Sequence, residues 1–329
     1  MPKNGRKGAD EIEPLVDLTQ DLQLNSKKLE RLRKRQQKRA ERGCRYASHS
    51  ILDLPYELLL KVLELLRPSD VLRLSRTCKA FHDFLRCEEE TIARKIINHR
   101  YVAISKCFLL PVLLRELDAR TQNILRDEER QEIVNLKKRP FQHIKSPDPS
   151  FLCTCMTCLL RWNSLNLIVD WNYWQDNLDK GEPIPMIARG KCPEWNALLI
   201  EDNASYVLKA LERPLWHALL FERHLDSMVR SISRQKANRG NKRKRFEMTA
   251  EDEASGTDVF LEREGPPTLE LPFHRDQYYL LETYMPNRGW NSDQRRWMYV
   301  PAEQHETDVT IAVRFFQWRE QQKSRNRGS

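Results

Sequence analysis

Apolar and polar positions recur with a helical period along ILDLPYELLLKVLELLRPSDVLRLSRTCKAFHDFL, which starts at Ile51. Leu58, Leu59, Val62, Leu63 and Leu66 fall at i, i+1, i+4, i+5 and i+8, which predicts one amphipathic helix with an apolar face. Pro55 suits its first turn, and Glu57 complements the positive end of the helix dipole there. Pro68 then breaks the pattern. Ser69 and Asp70 offer capping oxygens to a second helix, on which Val71, Leu74, Cys78, Phe81 and Leu85 repeat at helical spacing. A third helix is expected from Glu88 to Ile97. Three short helices hold more leucines than they can hide from water by themselves, so part of this apolar surface must face a partner or another domain. Burying one leucine is worth roughly 1.5–3 kcal/mol, so four or five anchors on one face suffice for docking once association costs are subtracted.

The pattern downstream is also helical. Tyr101 to Lys138 reads as helix with a break at Pro111, and Pro140 to Pro149 as a loop. Phe151 to Asp170 is apolar over about 20 residues, but Arg161, Asn163, Ser164 and Asn166 make it a buried helix and not a membrane span. Trp162, Trp171, Tyr173, Trp174 and Trp195 gather around it, a density that marks a core. Asn203 to Ser233 gives two helical pieces divided by Pro214. From Phe260, short apolar runs alternate with Pro and Gly, which leaves strands, turns or a short helix open. No internal repeat occurs, which excludes a propeller or a leucine-rich solenoid. The expected fold is mainly α, with short strands possible near the C-terminus. Its expected parts are a basic disordered or solvated helical arm at 1–48, a three-helix module at 49–97, and an α-rich domain at 98–329 with a flexible charged loop at about 234–258.

Composition sharpens this picture in two ways. Hydrophobic residues at 40% and eight tryptophans in 329 residues supply a core, and only ten glycines disfavour phosphate-cradling loops. The N-terminus lacks the apolar run of a secretory signal and no stretch has the length of a membrane span, so the protein is expected to be intracellular, in nucleus or cytoplasm, with no membrane partner. The formal net charge of +9 sits in two stretches: residues 1–49 carry +6, and residues 230–245, which include the run Lys242 to Arg245, carry +8. The rest is therefore acidic at about −5, so the folded body offers no broad cationic face and nucleic acid is not an expected partner. A nuclear, nucleic-acid-associated regulator using the basic arm and a cysteine cluster is the rival class.

Leu54-Pro55, Leu58-Leu59, Val62-Leu63, Asp70-Val71, Leu74-Ser75 and Cys78-Lys79 together resemble an F-box over about 45 residues. Phe81-His82 stands where many members carry Trp-Arg, a departure that keeps an aromatic at the packing position. The resemblance implies a three-helix hook for a Skp-family adaptor, which bridges to a cullin. Leu54, Pro55, Leu58, Leu59, Val62, Leu63, Val71, Leu74 and Cys78 match the adaptor-contact positions. The region after residue 100 is similar to the C-terminal half of uncharacterised F-box proteins of filamentous fungi, at LCTCMTCLLRWNSLNLIVDW, GEPIPMI, PLWHALL and LPFHRDQYY. That resemblance implies a non-catalytic substrate receptor of an SCF-type ubiquitin ligase, holding an unknown target protein, or an F-box scaffold that assembles no ligase.

Residue chemistry adds one candidate cofactor. Cys153, Cys155 and Cys158 form C-x-C-x-x-C, and Cys192 or His143 would complete four zinc ligands. Buried free thiols are the alternative, because Cys192 has no near cysteine partner to form a second knuckle. Enzyme motifs fail. His274-Arg275-Asp276 imitates a kinase catalytic loop, but Leu281 stands where its asparagine belongs. His305-Glu306 begins like a zincin helix, but Val309 replaces the second histidine.

Overall fold

The leucine-rich stretch forms helices whose boundaries follow its prolines and one tight turn. In the computed structural model, which describes residues 27, 30–36, 38, 51–138, 144–188, 191–237, 248–263 and 288–327, it yields α1 (Tyr56–Glu64), α2 (Pro68–Leu74) and α3 (Lys79–Arg100). Pro55 precedes α1 as its N-cap and Pro68 is the first residue of α2, where its missing N–H costs nothing. The second helix is shorter than its apolar repeat suggests. Ser75 to Thr77 form a turn, and Cys78 sits extended (φ −154°, ψ 157°) as the N-cap of α3. Phe81 and Leu85 therefore belong to the third helix, which starts nine residues before Glu88.

Beyond α3 come α4 (Val102–Cys107), α5 (Ala119–Arg126), α6 (Glu128–Lys138), α7 (Met156–Tyr173), α8 (Gln175–Lys180), α9 (Glu194–Glu212), α10 (Pro214–Ala237) and α11 (Ala250–Ser255). An antiparallel hairpin of β1 (Arg288–Asn291) and β2 (Arg296–Tyr299) pairs Trp290 with Trp297. The final helix is α12 (Gln304–Arg327). The expected mainly α fold with short strands near the C-terminus is what the chain adopts.

Two helices organise the body. Helix α10 packs on α2, α3, α7 and α9, and its buried side includes Ala218, Leu220, Phe221, Leu225, Met228 and Ile232. Helix α7 packs on α9, α10 and α12. Trp162 and Trp171 are buried on it, and the Trp162 indole donates to the Lys145 carbonyl at 2.7 Å. Residues 151–155 of the expected helix are not helical, because Cys155 caps α7.

Residues 1–54 and 55–329 are two compact units, and the three helices α1 to α3 lie in the second. In the first unit, residues 30–36 are helical and exposed, and Ile51–Asp53 form a 3₁₀ turn. Both described ends of the charged stretch expected as a loop at about 234–258 contain helix. Helix α10 runs on to Ala237, Met248 is buried, and Thr249 and Asp252 form a capping box on α11. Lys242 to Arg245 and His274 to Asp276 lie outside the described residues. Among the described residues no helix is long and apolar enough to cross a membrane.

Candidate functional site

Helix α1 is apolar on two sides. Leu59, Leu60 and Leu63 are buried within the chain, whereas Leu58 and Leu65 are 55% and 51% exposed and Val62 is exposed between them. Positions 58, 62 and 65 are spaced by four and three residues, so they form one stripe along the helix. Tyr56 extends the exposed surface, with its hydroxyl donating to Glu88 Oε2 at 2.7 Å and its ring edge-on to Phe84 at 6.4 Å. Of the nine positions expected to meet an adaptor, Leu54, Pro55, Leu58, Val62 and Cys78 are exposed and Leu74 is half-buried. Leu59, Leu63 and Val71 are buried and hold the three helices together. The five apolar positions first read as one face therefore straddle two.

The side of α2 away from this stripe is bound to the body. Glu222 on α10 accepts the Ser69 backbone N–H at 2.8 Å and the Ser69 hydroxyl at 2.6 Å, so Ser69 is held by a distant carboxylate instead of capping its own helix. Glu89 on α3 does the reverse for α10, accepting Leu215 N–H at 3.3 Å and Arg213 Nη2 at 3.2 Å. Each carboxylate sits at the N-terminal turn of a helix or beside it, where its charge is favoured. Arg100 closes the far end by donating to the carbonyls of Leu65, Ser255 and Gly256.

A second constellation lies between α7 and α12. Cys153, Cys155, Cys158 and His305 are all buried, and their ligand atoms lie within 4.8 Å of one another. His305 Nδ1 stands 3.4 Å from Cys155 Sγ and 3.3 Å from Cys158 Sγ. Each sulfur accepts one backbone N–H at 3.4 Å: Cys153 from Cys155, Cys155 from Cys158, and Cys158 from Val112. Cys155 lies at the N-terminus of α7, and hydrogen bonds from the Cys153 and Cys158 thiols hold its own thiol far below the ordinary range, so negative charge collects there. Burdened by the same bonds, Cys153 and Cys158 are pushed up. Around the sulfurs, Leu114, Leu125 and Ala312 complete a small separate core. Thr157 ties the two helices beside it, donating from N and Oγ1 to Asp308 Oδ2 at 2.8 and 2.6 Å.

The fourth member differs from both expected ones. Cys192 is exposed ahead of α9 and stands outside the cluster, with Asn196 Nδ2 4.0 Å from its sulfur. His143 lies outside the described residues. His305 was visible only as the start of a failed zincin pattern, because its partners are about 150 residues away and no local spacing links them. The aromatic cluster is likewise mostly inward, with Trp162, Trp171 and Trp174 buried. Tyr173 and Trp195 are exposed, and further exposed aromatics lie on α12, where Phe315 and Trp318 stack at 5.9 Å.

Comparison with the curated proteins and with the solved structures returns no match to this chain. Residues 51–91, which hold the two-sided helix α1, match the F-box-like family, so the chain carries an F-box-like domain.

Proposed function

We propose that this chain is the adaptor-binding receptor subunit of an SCF-type ubiquitin ligase. The F-box-like segment hooks a Skp-family adaptor, and through it a cullin, while the helical body holds a target protein. The observation that carries this reading is the stripe Leu58, Val62 and Leu65, left uncovered while Leu59, Leu60 and Leu63 on the other side are buried in the chain itself. A solvent-facing apolar stripe on a helix is the means by which such a face enters a groove. The receptor needs no nucleophile, because holding a target beside a charged conjugating enzyme accelerates transfer by proximity.

Co-purification with a Skp-family adaptor tests it. Leu58→Asp with Val62→Asp should leave the fold intact, since both sites are exposed, and should weaken capture by about 30-fold or more, as loss of a hot spot worth about 2 kcal/mol implies. Capture equal to the unsubstituted chain would refute adaptor docking. Proximity labelling with and without these substitutions would then identify the target, and ubiquitination of that target would separate a ligase receptor from an F-box scaffold that assembles no ligase.

A further inference from the structure

We propose that Cys153, Cys155, Cys158 and His305 bind one zinc ion, which pins the N-terminus of α12 to the N-terminus of α7. The donor set is three thiolates and one imidazole, a combination that structural zinc sites use in tetrahedral form. A tetrahedron with Zn–S of about 2.3 Å and Zn–N of about 2.0–2.1 Å spaces sulfur from sulfur by about 3.8 Å and sulfur from nitrogen by about 3.6 Å. The observed limit of 4.8 Å across all four atoms, and the 3.3 and 3.4 Å approaches to Nδ1, lie near those values.

The approaches of His305 argue further. Nδ1 has a single in-plane lone pair when it is not protonated, and one lone pair accepts one good hydrogen bond. Two sulfurs at nearly equal distance from it are better explained by a shared cation than by two thiol donors. The three backbone N–H groups, one to each sulfur, favour thiolate over thiol, as the outer shell of a metal site does. Binding would release the thiol protons that remain and leave the site with a net charge of about −1, by zinc's two positive charges against three thiolates. Arg130 answers that charge. Its guanidinium is partly buried, and its Nη2 donates to the carbonyl of Thr154, the residue between Cys153 and Cys155, at 2.8 Å.

The arrangement disfavours the other occupants of a cysteine cluster. An iron–sulfur cluster interposes its own atoms between ligands and holds the protein sulfurs further apart than this mononuclear spacing. Cys153, Cys155 and Cys158 are free, so no disulfide accounts for their packing. A ligand joining residue 158 to residue 305 also has a structural task. The core around the sulfurs is small, and the ion would tie together the turn before α7, the segment at Val112 and the first turn of α12.

The test is elemental analysis of the full-length chain, expressed with zinc and purified without a polyhistidine tag. One zinc per chain is expected. Cys192→Ser should keep it, His305→Ala should lose it, and His305→Cys, which restores a thiolate donor, should recover it even where the alanine variant folds poorly. Cobalt(II) substitution should give the absorption of a tetrahedral thiolate site in the unsubstituted chain. Zinc at trace level with no cobalt spectrum would overturn the proposal. So would copper or iron at one per chain, loss of zinc in Cys192→Ser, or full retention in His305→Ala.

Discussion

Asp258 is buried and His217 is half-buried, and their titrations pull stability in opposite directions. Asp258 Oδ2 accepts the Ile104 N–H at 2.8 Å in the first turn of α4, yet burial outweighs that bond and pushes its carboxyl up to about 6. Its unfolded value is 3.8, so the folded protein holds the extra proton. The resulting stability is full below about pH 4 and is lost as pH rises through 6. Burial lowers His217 to about 4 from 6.5, so there the unfolded chain takes the proton first, and stability present above 6.5 is lost as pH falls to 4. Each shift of about two units corresponds to roughly 3 kcal/mol, so the two slopes offset each other between about pH 4 and 6. Asp258→Asn should remove one of them. Urea unfolding should then show stability falling steadily from pH 6.5 to 4 and a gain at pH 7, and a profile that superimposes on the unsubstituted chain would contradict the assignment. Nearby, Gly256 has φ +59°, and a Cβ there would stand 3.2 Å from Arg100 Nη1. Gly256→Ala should cost about 1–2 kcal/mol in the same measurement, from the left-handed backbone and the displaced arginine together.

At the scale of elements, α1 shows what the sequence made legible and what it hid. Periodicity located the helix and its proline boundaries because those causes are local. Assigning faces needed the neighbours, since Leu58 and Leu59 are adjacent in the chain but point to different sides, and only packing on α3 decides which is inside. Cys78 looked like a helical position because its spacing from Leu74 is right, but the turn at Ser75 to Thr77 puts it at the cap. Even less visible was His305, whose relation to Cys155 and Cys158 exists only after α7 and α12 pack. The two faces of α1 should separate experimentally. Leu63→Ala, at a site with no exposure, should destabilise the fold by about 2–4 kcal/mol. Leu58→Ala should change stability by less than about 0.5 kcal/mol and weaken only adaptor capture. Equal losses of stability in a denaturant titration would show that the stripe is also core.

For the whole molecule, the decisive contact is the one between the F-box-like helices and α10. A docking segment attached by a flexible linker would unfold independently of the body it serves. Here Glu222, itself buried, reaches across 153 residues of sequence to hold both polar groups of Ser69, while Glu89 holds the start of α10 in return. A target held by the body would thus keep a defined orientation to an adaptor held by α1, which is the geometric condition for catalysis by proximity. Residues 55–329 should accordingly unfold in one cooperative transition, and the amides of α2 should exchange hydrogen with the same free energy as those of α10. Glu222→Ala leaves the Ser69 N–H and hydroxyl without their partner, which should cost about 2–3 kcal/mol. Its sharper signature is loss of coupling, with α2 exchanging faster than α10. If α2 already exchanges at a much lower free energy than α10 in the unsubstituted chain, the two are linked only loosely, and the proposed receptor role would rest on tethering and not on rigid orientation.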